Sequence, residues 1–179
     1  MSHSLATRAT FATLATRNRR RITCGFTLLE VMIVVSIAGT LGSIMLPQAK
    51  KAANTARASA VANDLRLLAS TMSAIAQQAG RYPKDTGRRK MPPAAAGHAK
   101  GDVWINPTPI GGYYNWESGR NIRGMKIKAG IAINSQKRQK VTRDRALLLA
   151  VDRLIDDGNL NGGNFRLGTG NEPVYIIEY

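Results

Sequence analysis

Gly25-Phe26-Thr27-Leu28-Leu29-Glu30 opens a run that continues through Val31-Met32-Ile33-Val34-Val35-Ser36-Ile37 to Leu46. From Phe26 to Leu46 every residue is apolar, small or hydroxylated except Glu30. A helix of that length matches the ~20 residues needed to cross ~30 Å of hydrocarbon. In front stand Arg17, Arg19, Arg20 and Arg21, and behind come Pro47 and an alanine-rich stretch. The order is a basic leader, a glycine, a membrane-length helix with one acid near its start, and a soluble extension.

An ordinary secretory signal is cut after its apolar core and loses it. Here the candidate glycine precedes the core, and a buried acid is costly in a disposable segment. A plain signal-anchor helix explains the length and the arginines but neither Gly25-Phe26 nor Glu30. The stretch resembles the leader of type IV prepilins and of the pseudopilins of type II secretion. The resemblance rests on Gly25, Phe26, Thr27, Leu28, Leu29, Glu30 and the run that follows, about the first third of the chain. It implies that a prepilin peptidase cuts between Gly25 and Phe26 and methylates Phe26. It further implies that Glu30 and Pro47 serve assembly, Glu30 by pairing with the amine of Phe26 and Pro47 by letting the helix stretch or unwind. The implied partners are the peptidase, other pilin or pseudopilin subunits, an inner-membrane assembly platform and the lipid bilayer. The implied location is the bacterial inner membrane, single-pass, N-terminus cytoplasmic and head periplasmic, and then the fibre. The arginine cluster agrees with a cytoplasmic N-terminus.

The 179 residues suffice for one modest domain and a membrane helix. Four segments are expected: a cleaved leader at 1–25, a transmembrane half-helix at 26–46, an amphipathic half at 47–79 and a globular head at 80–179. The net charge is +15, and removing the leader's five arginines leaves 21 basic against 11 acidic residues. That surplus suits anionic partners, and equally a solvated basic surface. Cys24, the sole cysteine, lies in the leader, so the mature chain has no disulfide. Many type IV pilins staple their C-terminal region with one, so the resemblance leans toward the pseudopilins.

Ala53, Ala56, Ala60, Val61, Leu65, Leu68, Met72, Ile75 and Ala79 recur at spacings of mostly three and four, which predicts one helix face. Gly80 then stops the helix. Residues 80–112 are rich in proline and glycine, with a short strand expected at Val103-Trp104-Ile105 and aromatics that cover the long helix. Residues 113–117 start a strand. Met125, Ile127, Ala129, Ile131 and Ile133 alternate with Lys126, Lys128, Gly130, Ala132 and Asn134, which predicts one half-buried strand. Thr142 is the expected N-cap of a helix whose apolar face is Leu147, Leu148, Val151, Leu154 and Ile155, ending near Gly158. Two closing strands follow at Phe165–Leu167 and Val174–Ile177. The fold class is α+β: a long N-terminal helix packed on a small antiparallel sheet with a second short helix, the pilin-like plan.

No catalytic constellation stands out, and the chain reads as non-enzymatic. His3 lies in the leader and His98 in a loop without a neighbouring partner. Asp157-Gly158-Asn159-Leu160-Asn161-Gly162 places oxygen ligands at alternating positions, as the start of a calcium loop does, with Asp157, Asn159 and Asn161 as ligands. Its twelfth position is Gly168 instead of an acid, and a plain turn uses the same residue types. Asp156 and Asp157 stand where a helix dipole disfavours negative charge. Arg88-Arg89-Lys90 and Lys137-Arg138-Gln139-Lys140 suit DNA phosphates or, more simply, solvent. The leading function is a structural subunit of a pseudopilus or type IV pilus-like fibre. The alternatives are a DNA-binding minor pilin and a membrane-tethered periplasmic binding or enzyme domain.

Overall fold

The computed structural model describes residues 25–98 and 102–179; the leader's arginines, His3 and Cys24 lie outside them. The chain divides into two compact units, Met1–Gly42 and Ser43–Tyr179.

The first helix, α1, spans Leu28–Ala79. Thr27 starts it: its hydroxyl accepts the Glu30 backbone N–H at 3.2 Å. Thr27-Leu28-Leu29-Glu30 is thus a capping-box sequence, with the acid in the first turn where the helix dipole favours it. Pro47 lies inside α1, and the residues on both sides stay helical. The proline removes one backbone donor and the flanking helix persists in the single chain.

In the second unit α1 buries Ala58, Val61, Ala62, Leu65, Leu68, Met72 and Ile75. The larger residues of the expected face are in place, but Ala53, Ala56, Ala60 and Ala79 are exposed, and Ala58 and Ala62 are buried instead. Alanine is the best helix former on any face, so it marks a helix without marking which side packs.

The head's main sheet is antiparallel, in the order β1 (Tyr113–Ser118), β4 (Ala129–Asn134), β6 (Pro173–Glu178), β5 (Phe165–Leu167). A small hairpin joins β2 (Asn121–Ile122) to β3 (Met125–Lys126). Arg123 and Gly124 turn it with φ of 47° and 86°, the pair of positive values a two-residue type I′ turn requires. The expected single strand from Met125 to Asn134 is therefore two strands, and β4 is buried at every position rather than on alternate faces. One side of the sheet, through Ile131 and Ile133, joins the core with α1. On the other side Ala132 packs with Ile122, Ile127, Val174 and Ile176, beneath the hairpin. A second cover over the sheet removes the alternation that a half-exposed strand keeps.

Val103-Trp104-Ile105 is not a strand: Asp102–Ile105 forms a short helix, α2, with Trp104 fully buried. A single large ring reaches the core from one helical turn, with no need for a ladder. Tyr114 and Trp116 also enter the core beside Leu65, Leu68 and Met72, as expected of aromatics that cover the helix. The Tyr114 hydroxyl donates to Asp64 of α1 at 3.1 Å. Burial pushes both groups' pKa values up, and Asp64's charge beside the phenol adds to Tyr114's rise.

The second helix of the head, α3, spans Arg145–Ile155. Asp144 caps it, accepting from the Ala146 and Leu147 N–H groups at 2.9 and 3.3 Å. Thr142, the expected cap, stands two residues earlier and accepts the Asp144 N–H instead. Both are good capping residues, and the structure chooses the one whose carboxylate also meets Asn54 of α1, at 3.3 Å. At the other end Arg66 of α1 donates to the Leu154 carbonyl. The two helices therefore run in the same direction, side by side.

Candidate functional site

The processing stretch is open. A side chain built on Gly25 would meet no atom within 4 Å, and Phe26 is 79% exposed. Glu30 is exposed. From Phe26 through Leu46 the large apolar side chains remain exposed on all sides of the helix. α1 holds an 18-residue window of mean hydropathy 2.0 with none of it buried, which is the character of a segment whose solvent is lipid. Its hydroxyls are already satisfied along the helix. Ser36 donates to the Met32 carbonyl at 2.8 Å, and Thr40 to that of Ile37 at 2.8 Å. Such bonds let serine and threonine enter hydrocarbon without orphaned donors. Thr27 has a second role, as the cap of α1. Its signal, a threonine three residues before a glutamate ahead of an apolar run, is legible.

The second candidate lies after α3. Asp157 accepts the Asn159 N–H at 2.8 Å and Asn159 accepts the Asn161 N–H at 3.2 Å, so the expected ligands form two successive turns. The structure adds two aspartates. Carboxylate oxygens of Asp152, Asp156 and Asp157 lie within 4.8 Å of one another. Asp156 also closes the loop, accepting from Asn164 and, at 2.9 Å, from the Phe165 N–H. Asp152 is fully buried, and neither of its carboxylate oxygens has a hydrogen-bond partner among the described residues. Burial pushes its pKa up to about 6; the nearby Gly158 N–H, which falls short of a full hydrogen bond to it, offsets a part, and the charges of Asp157 and Asp156 raise it again. Asp152 was missed because α3 reads as a simple amphipathic helix. The signal is an acid four residues after Leu148 and three before Ile155, on the apolar face.

His98 is exposed. Glu117, nearly buried in β1, has its pKa raised by desolvation and is paired with Arg120 at 3.1 Å.

No curated protein and no solved structure matches the chain. Residues 20–46 match the prokaryotic N-terminal methylation motif. That span holds Gly25, Phe26, Thr27, Glu30 and the exposed apolar run, and stops one residue before Pro47. The α+β arrangement of a long helix, a four-stranded antiparallel sheet and a short helix agrees with the pilin plan. The N-terminal segment is similar to that of type IV pilin and pseudopilin precursors, and its helix is long and apolar enough to cross a membrane.

Proposed function

We propose that the chain is a structural, non-enzymatic subunit of a pseudopilus or type IV pilus-like fibre. A prepilin peptidase cuts between Gly25 and Phe26 and methylates Phe26. The subunit waits in the bacterial inner membrane, single-pass with the head in the periplasm. An assembly platform there draws its helix into a bundle of other subunits, for protein secretion or a related surface function. The observation that carries this reading is the exposed apolar run at the start of α1, which the methylation motif itself spans. In a membrane its partners are lipid, and in a fibre the helices of neighbours.

Gly25→Val is expected to block maturation, because the peptidase must accommodate the residue beside the bond it cuts. The product on a gel should be full-length, about 25 residues longer than the wild-type mature chain. A normal-sized product beginning at Phe26 would overturn the proposal. Normal cleavage of the native chain without entry into fibres would favour the tethered periplasmic domain instead.

The head is proposed to bind calcium at Asp152, Asp156 and Asp157, with the turn of Asn159 and Asn161 beside them. Oxygens within 4.8 Å of one another are no further apart than two ligands of one calcium at ~2.3–2.6 Å each. The cation would supply the missing partner of Asp152 and cancel the repulsion among three acids at a helix C-terminus. With no disulfide in the mature chain, the effect on stability should be readily measured. The full-length protein in detergent should melt about 5–10 °C higher in millimolar calcium than in chelator, the shift expected when free calcium far exceeds its dissociation constant. Asp157→Ala should remove the difference. Asp152→Asn should also remove it and raise the melting temperature in chelator, because it deletes an unpaired buried charge. Identical melting with calcium and chelator would leave the plain turn as the better account.

A further inference from the structure

Arg88-Arg89-Lys90 and Lys137-Arg138-Gln139-Lys140, far apart in sequence, come together in the fold. Arg88 and Arg89 of the first and all four residues of the second line one open hollow of about 810 Å³. A tight turn presents each. In the first, the Gly87 N–H donates to Asp85 at 2.8 Å and the Thr86 hydroxyl to the Lys90 carbonyl at 3.0 Å, with Arg89 held at a φ of 59°. In the second, Gln136 and Gln139 exchange both backbone hydrogen bonds, at 2.8 and 3.1 Å. Lys137 and Arg138 are left at the tip. Arg88, Arg89, Lys137, Arg138, Lys140 and Arg143 all line the hollow. Tyr113 stands among them, with the Arg89 guanidinium 4.5 Å from its ring centre. Glu172 is the one acid in the lining, and it already accepts the Ser135 N–H at 2.6 Å.

Among the described residues, ion pairs join Arg120 to Asp85 and Glu117, and Lys128 to Glu178. None uses a cation of the hollow. Six like charges on a concave wall focus a positive potential, and such a wall attracts an anion with many charges. Four of the six are arginines, whose planar forks match phosphate oxygens in pairs. Tyr113 adds an aromatic face on which a base stacks once Arg89 turns to a phosphate. A flat lipid surface would reach only the rim of a concavity, and an acidic polysaccharide has no base to stack.

We propose that this hollow binds the phosphodiester backbone of nucleic acid, single-stranded in preference to duplex, with the six cations on phosphates and Tyr113 under a base. The test uses the full-length protein in detergent and a fluorescently labelled single-stranded oligonucleotide of mixed sequence, read by anisotropy. Affinity should fall steeply with salt, with a log–log slope of about −3 to −4 if some five phosphates are contacted. Arg88→Ala with Arg89→Ala, and Lys137→Ala with Arg138→Ala, should each weaken binding by about tenfold or more and flatten the slope. Tyr113→Leu should weaken the single strand by about fivefold or more and leave the slope unchanged. Lys84→Ala with Lys126→Ala removes the same charge outside the hollow and should change affinity by less than about twofold, within the range of weak surface electrostatics. Melting curves of every variant check that the fold is intact. Equal losses from the outside pair would overturn the proposal, since bulk charge alone would then explain binding. So would tighter binding of heparin or of phosphatidylglycerol vesicles than of the oligonucleotide, which would assign the hollow to polysaccharide or lipid. Binding is read on the unassembled subunit, so its outcome is independent of whether the chain enters fibres.

Discussion

Glu30→Leu should be cleaved and inserted normally yet be almost absent from fibres. A carboxylate at membrane depth is expensive and is usually kept for function. Two roles compete for it. One is local: Glu30 stands in the first turn of α1, where Thr27 accepts its N–H and a capping box would turn its carboxylate back to the Thr27 N–H. The other is the one the family resemblance implies, a charge pair with the amine of Phe26 on its own or a neighbouring subunit. The capping box accepts glutamine as readily as glutamate, whereas the charge pair does not. Glu30→Gln therefore separates them. It should leave helix content and cleavage unchanged and lose fibre incorporation nearly as completely as Glu30→Leu. Wild-type incorporation of the glutamine variant would leave the carboxylate with no more than a capping role, worth about 1 kcal/mol. Loss of membrane insertion in Glu30→Leu would contradict the assignment outright, since the change makes the segment more apolar.

Trp116→Ala should destabilise the head by about 3–5 kcal/mol, the range for emptying a large ring from a packed core. Trp116 is fully buried in β1, opposite Ile131 of β4. Its indole N–H donates to the Pro83 carbonyl at 2.9 Å, and its ring lies 5.9 Å from that of Tyr82. One side chain thus fills the core and ties the segment leaving α1 to the sheet. Trp116→Phe keeps most of the apolar volume and removes the donor. It should cost about 1–3 kcal/mol, mostly from the Pro83 carbonyl left unpaired. Chemical denaturation of the full-length protein in a mild detergent reads both. A loss for phenylalanine as large as that for alanine would show that the hydrogen bond, and not the buried area, anchors this segment.

The order of these effects follows from where each residue works. In the proposed function Glu30 acts between subunits, so its loss should barely touch the isolated chain. Trp116 acts inside the head, so its loss appears in stability before it appears in assembly. Asp152 stands between the two cases: it is buried in the head, but its cost depends on whether a cation is present.

The N-terminal third could be read from sequence alone because its information is local. Gly25, Phe26, Thr27 and Glu30 stand at fixed offsets, and hydrocarbon demands an unbroken apolar run whatever the rest of the chain does. The existence of α1, α3, β1, β5 and β6 was legible for the same reason: each has its own periodicity, cap or turn. What the sequence left open were choices that depend on a distant neighbour. Asp144, and not Thr142, caps α3, and its carboxylate also meets Asn54, ninety residues away. The alternation from Met125 to Asn134 was broken because a hairpin covered the second face of β4. Trp104 entered the core from a helical turn and not from a strand, because the core needed one ring there and no ladder. The alanines of α1 were sorted into buried and exposed only by the sheet laid against them. Asp152, Asp156 and Asp157 became one cluster through the turn after α3. The two basic runs became one hollow through the pairing of β1 with β4. Contacts between residues close in sequence follow from local preference, while contacts across the fold follow from packing, and only the tertiary structure settles which surfaces pack.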